Sequence, residues 1–89
     1  MIGTLRLELP RDYESFPELE KCFDTYCKSY VLESYKVFLS EKKSYRLLYE
    51  YHLRLKDTSK GGHLAEALKA LPKVKILDLS FRNKTFDAI

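Results

Sequence analysis

The hydrophobic period of this chain switches repeatedly between two residues and about 3.6, and the order of the switches leaves few folds open. Residues 4–10, "TLRLELP", alternate: Leu5, Leu7 and Leu9 share one face and Thr4, Arg6 and Glu8 the other, as in a half-buried strand that ends at Pro10. Beyond the proline the step changes. Phe16, Leu19, Phe23, Tyr26, Cys27 and Tyr30 recur at threes and fours, while Glu18, Glu20, Lys21, Asp24 and Lys28 fall elsewhere. That spacing predicts an amphipathic helix over about 14–29, with Asp12 or Ser15 as its cap and Pro17 in its first turn.

Two strands follow around the polar turn "SEKKS". Val31, Tyr35, Val37 and Leu39 share a parity on the first. On the second, Leu47, Tyr49, Tyr51, Leu53 and Leu55 do, with Arg46, Glu50, His52 and Arg54 opposite. The turn has no Asn-Gly or Asp-Gly, so strand patterning alone predicts the hairpin. "DTSKGG" then breaks the chain, its glycines freeing the backbone to reverse. Leu64, Ala67, Leu68 and Leu71 line a short helix that Pro72 closes, because proline cannot continue the hydrogen-bond ladder. Val74 to Phe81 make the last strand. Its parity is mixed: Val74 and Ile76 point one way, Leu77, Leu79 and Phe81 the other, which predicts a bulge or apolar cover on both faces.

Strand, helix, strand, strand, helix, strand is the order of an α+β, ferredoxin-like βαββαβ plait, a four-stranded antiparallel sheet with two helices on one face. An α+β domain with different pairing is the alternative. At 89 residues the chain suits a single domain, ordered over about 4–81, with 82–89 as a tail in which Phe86 and Ile89 are able to dock.

Apolar residues at 45% and charged ones at 33% exclude a disordered chain. The net charge of +3 comes from interspersed residues rather than a basic block, so nucleic acid is not the expected partner. With no apolar run near the roughly 20 residues of a membrane span, and no signal-peptide pattern at the start, a cytoplasmic location is expected. Cys22 and Cys27 are five apart, a spacing of neither a redox pair nor a zinc knuckle, and read as reduced thiols acting as small hydrophobes.

No constellation in the chain carries catalysis. His52 and His63 lie in different elements without an acidic or thiol cluster, so neither a metal nor another cofactor is expected. No nucleophile elbow or base-oriented thiol is present, and the chain is read as a non-enzyme. An anion or small-molecule site is conceivable where Arg11 and Asp12 would meet the loop of Lys60, Gly61, Gly62 and His63, although the phosphate-loop spacing is missing. Lys36, Arg46 and Arg54 would serve an RNA-binding plait. The first strand has no aromatic, however, and Tyr49 and Tyr51 take the core parity, which weakens that reading. The outer face of the sheet is assigned Leu32, Phe38, Leu48 and Ile76, an apolar patch that suggests homodimerisation or a partner protein through the sheet.

"YHLRLKD" and "LAEALKALPKV" together resemble the closing half of an ACT-like domain, and are similar to the cytosolic C-terminal domain of MgtC/SapB-type bacterial membrane proteins and to stand-alone ACT-like regulatory modules. The resemblance implies an accessory or regulatory domain, with a membrane-embedded segment of the same native chain as a further partner. Amino-acid-binding ACT domains carry a glycine in the turn after the first strand. Here that turn is "LPRDYES", so the resemblance does not extend to effector binding.

Overall fold

Leu5, Leu7 and Leu9 have no exposed surface, and the rest of the molecule is arranged around them. In the computed structural model, which describes residues 1–82, they lie on β1 (Ile2–Pro10). The chain continues through α1 (Phe16–Tyr26), β2 (Cys27–Leu39), β3 (Tyr45–Leu55), one turn of 3-10 helix (Thr58–Lys60), α2 (Gly61–Lys69) and β4 (Lys75–Arg82). Phe86 and Ile89 of the expected tail lie outside the described residues. Arg82, expected as the first residue of that tail, instead ends β4 opposite Ile2.

The fold is α+β: four strands form one antiparallel sheet in the order β2-β3-β1-β4. β1 and β3 pair without irregularity from Gly3 opposite Leu53 to Pro10 opposite Arg46. Directly opposed residues share a face, so Leu5, Leu7 and Leu9 line up with Tyr51, Tyr49 and Leu47. Leu19 and Phe23 of α1 and Leu64 and Leu68 of α2 close over this face and complete one apolar cluster. The opposite face carries the alternate residues and is tied by ion pairs, Arg6 to Glu50 and Arg46 to Glu8 at 3.2 Å each.

α1 is shorter than its pattern predicts. The helix ends at Tyr26, where Cys27 turns to an extended φ of −106° and ψ of 136° while its N–H still donates to the Phe23 carbonyl. Cys27 and Tyr30 therefore belong to β2. Their three-residue step imitates a helix because Lys28 is an extra residue: Cys27 faces Leu55 and Ser29 already faces Arg54. Glu33 is a second such bulge, between Leu32 opposite Tyr51 and Ser34 opposite Glu50, and it puts Val31 on the face away from Tyr35, Val37 and Leu39. In β4 the expected bulge is Leu77, which stands exposed while Val74, Ile76, Leu79 and Phe81 pack against the core.

The hairpin turn falls on Ser40–Ser44 as the pattern predicts. The Ser40 N–H donates to the Ser44 carbonyl and the Lys43 N–H to the Ser40 carbonyl, both at 2.9 Å, with Lys43 in the left-handed region at φ 59°. At the other end of the sheet, Gly3 faces Phe81, whose ring lies so close that a β-carbon on Gly3 would sit 2.6 Å from its Cε1 and 2.9 Å from Leu53 Cδ1. Gly62 is the opposite case: it is helical, and a β-carbon there meets nothing within 4 Å. We expect Gly3→Ala to cost about 1–3 kcal/mol by displacing the Phe81 ring. Gly62→Ala should gain about 0.4–1 kcal/mol by restricting the unfolded chain. Urea denaturation of the two variants checks both signs, and equal effects would contradict the packing at Phe81.

Candidate interaction surface

The sheet and its helices are of unequal length. The 11 residues of α1 span roughly 16 Å, whereas the 13 of β2 run to roughly 40 Å. The apolar stripe of α1 is spent on β1 and β3, and the outer half of β2 is left bare. Leu32 is 39% exposed, Tyr35 60%, Val37 56%, Leu39 58% and Tyr45, which opens β3, 53%. All five point to the helix side, because Leu32 faces Tyr51, Tyr35 faces Tyr49, Val37 faces Leu47 and Leu39 faces Tyr45 across the ladder.

This stripe continues the core rather than standing apart from it. Phe23 packs on Tyr51 at 4.8 Å between ring centroids, Tyr51 on Tyr49 at 6.1 Å, and Tyr49 on the exposed Tyr35 at 5.4 Å. A shallow hollow at the inner end is walled by Phe16, Glu20, Tyr30, Leu32, Tyr49 and Tyr51. The positions facing outward along the stripe are uncharged, and charge is confined to its ends. At the inner end, burial and then the Asp24 and Glu20 carboxylates push the Tyr30 phenol up. At the outer end stand Glu41, Lys42 and Lys43 of the turn.

The four residues assigned to the outer face divide. Phe38, opposite Arg46, and Leu48, opposite Glu8 and Lys36, do lie there, both half-buried. Leu32 and Ile76 do not: Leu32 faces Tyr51 and Ile76 faces Leu7, on the helix side. The bulges at Glu33 and Leu77 shift the parity that placed them outside. What remains of the outer face is Val31, 56% exposed opposite His52, and a largely polar surface. Glu8 bridges Arg46 and Lys75 at 3.2 and 3.6 Å, and His52 lies between Glu33 and Glu50 at 3.6 and 3.8 Å.

The conceivable ligand corner is not assembled. β1 and β3 are antiparallel, so the turn after β1 and the loop after β3 occupy opposite ends of the sheet, separated by roughly the 27 Å rise of β1. Arg11 and Asp12 are exposed in the first, beside buried Tyr13, whose hydroxyl donates to the Ser15 carbonyl at 3.1 Å. Lys60 and His63 are exposed at the second, where Gly61 and Gly62 open α2 instead of forming a loose loop. The Asp57 carboxylate accepts the Ser59 N–H at 3.0 Å and its hydroxyl at 2.7 Å, which holds its carboxyl below the usual range and puts a negative charge where an anion would bind. Among the described residues no three His, Cys, Asp or Glu side chains gather as a metal site would require.

Reading the sequence alone missed Tyr35, Val37, Leu39 and Tyr45 as surface residues. Three of them have the parity of the core, and only comparing strand length with helix length shows that nothing is left to cover them. No protein-family model matches the chain, and neither a curated protein nor a solved structure does.

Next to the stripe, burial pushes the Cys27 thiol up to about 11 and the Tyr51 phenol up to about 12. Both groups bind their protons more tightly folded than unfolded. Their contribution is complete below pH 9 for Cys27 and pH 10 for Tyr51, and it is lost as pH rises toward the folded values. Urea midpoints of the native chain should therefore fall from about pH 9 upward. Tyr51→Phe keeps the ring and removes the titration, so the variant should lose less between pH 10 and 11.5. Parallel curves for the two proteins would contradict the burial of the phenol.

Proposed function

We propose that this chain is a ferredoxin-like plait of ACT-like type that works as a non-catalytic interaction or regulatory domain, and that its contact surface is the helix-side stripe of β2. The strand order β2-β3-β1-β4, antiparallel throughout, and the shared cluster of both helices support the fold. The functional reading is carried by one observation: five large apolar side chains stand exposed in a row, continuous with the core and free of charge. An apolar patch of that kind on a small domain marks a contact with another surface. Partners of this reading are a second copy, another protein, or a membrane-embedded segment of the native chain.

Cys22 and Cys27 are free thiols, which supports a reducing, cytosolic setting. Among the described residues no helix is long and apolar enough to cross a membrane. An RNA-binding role has less support. Lys36, Arg46 and Arg54 share the outer face, but Arg46 is engaged by Glu8 and the stacking aromatics Tyr49 and Tyr51 lie on the other side. Small-molecule sensing loses its proposed corner to the separation of Asp12 from Lys60.

If the stripe is a contact surface, its residues are dispensable to the fold. At low micromolar concentration Val37→Asp should cost about 1 kcal/mol or less, because the position is wet in both states. Leu7→Ala should cost about 2–5 kcal/mol. Chemical denaturation decides between them: a Val37→Asp variant as damaged as Leu7→Ala would mean that the stripe belongs to the domain's own core.

A further inference from the structure

We infer that the occupant of the stripe is a second copy of this chain, laid antiparallel across it on a two-fold axis that passes near Tyr35 and Val37. This inference rests on the reading of the stripe as a contact surface and names what fills it.

Extension of the sheet edge to edge is the first alternative. Bulges at Lys28 and Glu33 in β2 and at Leu77 in β4 interrupt the ladder that an added strand needs, but Ser34 to Leu39 of β2 runs unbroken. A strand added there would leave the five side chains of the stripe exposed on the helix side, and a contact by the face covers them.

The face then selects its partner by charge. Its uncharged middle offers nothing to a strongly acidic or basic ligand, while its ends differ in sign. Glu20 and Asp24 stand beside Tyr30 at the inner end, where Lys56 reaches the Asp24 carbonyl at 2.7 Å and leaves two acidic groups against one basic, and the turn at the outer end carries Lys42 and Lys43 against the single Glu41. An antiparallel copy places each basic turn on the other molecule's acidic end; a parallel copy would oppose like charges. The surface is thus complementary to itself in one orientation, as a two-fold interface must be.

The size also fits. Five side chains exposing roughly 100 Å² each supply roughly 500 Å² of apolar surface, and the charged ends bring this toward the roughly 800 Å² per partner of a stable interface. The molecule is long and thin, 46 × 28 × 17 Å, so an antiparallel contact along its length is open to it.

Sedimentation equilibrium tests the inference. The native chain should be dimeric at roughly 100 μM, with Val37→Asp folded and monomeric at the same concentration. Lys42→Glu/Lys43→Glu and Glu20→Lys/Asp24→Lys should each weaken self-association by about tenfold or more. Mixed in equal amounts, those two variants should form a heterodimer, since each turn then meets an end of opposite sign. Adding Val37→Asp to either one should abolish it. A native chain that stays monomeric while Val37→Asp folds normally overturns the second copy and leaves the contact surface standing, for a different partner. A dimer that survives Val37→Asp overturns the location. Charge variants that dimerise as the native chain does overturn the antiparallel arrangement.

Discussion

The pairing of β1 with β3 is the constraint on which the other elements depend. Among the described residues these two strands alone have neighbours on both edges, and their register runs unbroken from Gly3 to Pro10. A slip of one residue would turn Leu5, Leu7 and Leu9 out of the core and bring Arg6 and Glu8 in. Because that slip is so costly, the central pair tolerates no irregularity, and every bulge in the sheet falls on the outer strands. The edges absorb what the centre cannot.

Those bulges also explain where the sequence was readable and where it was not. The alternation of β1, the stripe of α2 and the polar hairpin turn all follow a single period, and each lies where its pattern places it. β2 has no single period. Cys27 to Tyr30 and Leu32 to Tyr35 are steps of three that return to the same face, which in a sequence belong to a helix and in the molecule belong to a bulged strand. The first extended α1 into β2, and the second moved Leu32 to the wrong face. In β4 the mixed parity gives the bulge away, but nothing in the sequence marks which residue is the extra one, and the alternation alone puts Ile76 on the outer face. The separation of Asp12 from Lys60 was legible in principle, since antiparallel neighbours end at opposite sides of a sheet.

The exposed stripe is a consequence of length. A strand gains more than twice the distance per residue that a helix does, so a helix of similar residue count cannot shelter the whole strand it precedes. Phe16, Leu19 and Phe23 cover the sheet centre, and the covering layer stops at the Phe16–Tyr49 contact, with ring centroids at 5.8 Å. Beyond it Tyr35, Val37 and Leu39 keep the spacing of core residues without a core to enter.

The two faces of the sheet differ in what their apolar residues have for neighbours, and this sets which face would cost less to cover. On the outer face Phe38 and Leu48 are half-buried among Lys36, Arg46 and Glu8, whose charges are already paired or wet. Val31 stands exposed on the same face, opposite His52 and several residues from Phe38 along β2. Covering the three would desolvate those charges, a cost that scattered apolar side chains do not offset. On the helix side the stripe's neighbours are tyrosines and leucines, so covering it removes apolar surface from water with little polar surface lost alongside. The hydroxyls of Tyr35 and Tyr45, both more than half exposed, can stay at the rim while their rings are covered. The same unequal lengths that leave the domain incomplete on one side thus give that side the lower cost of association.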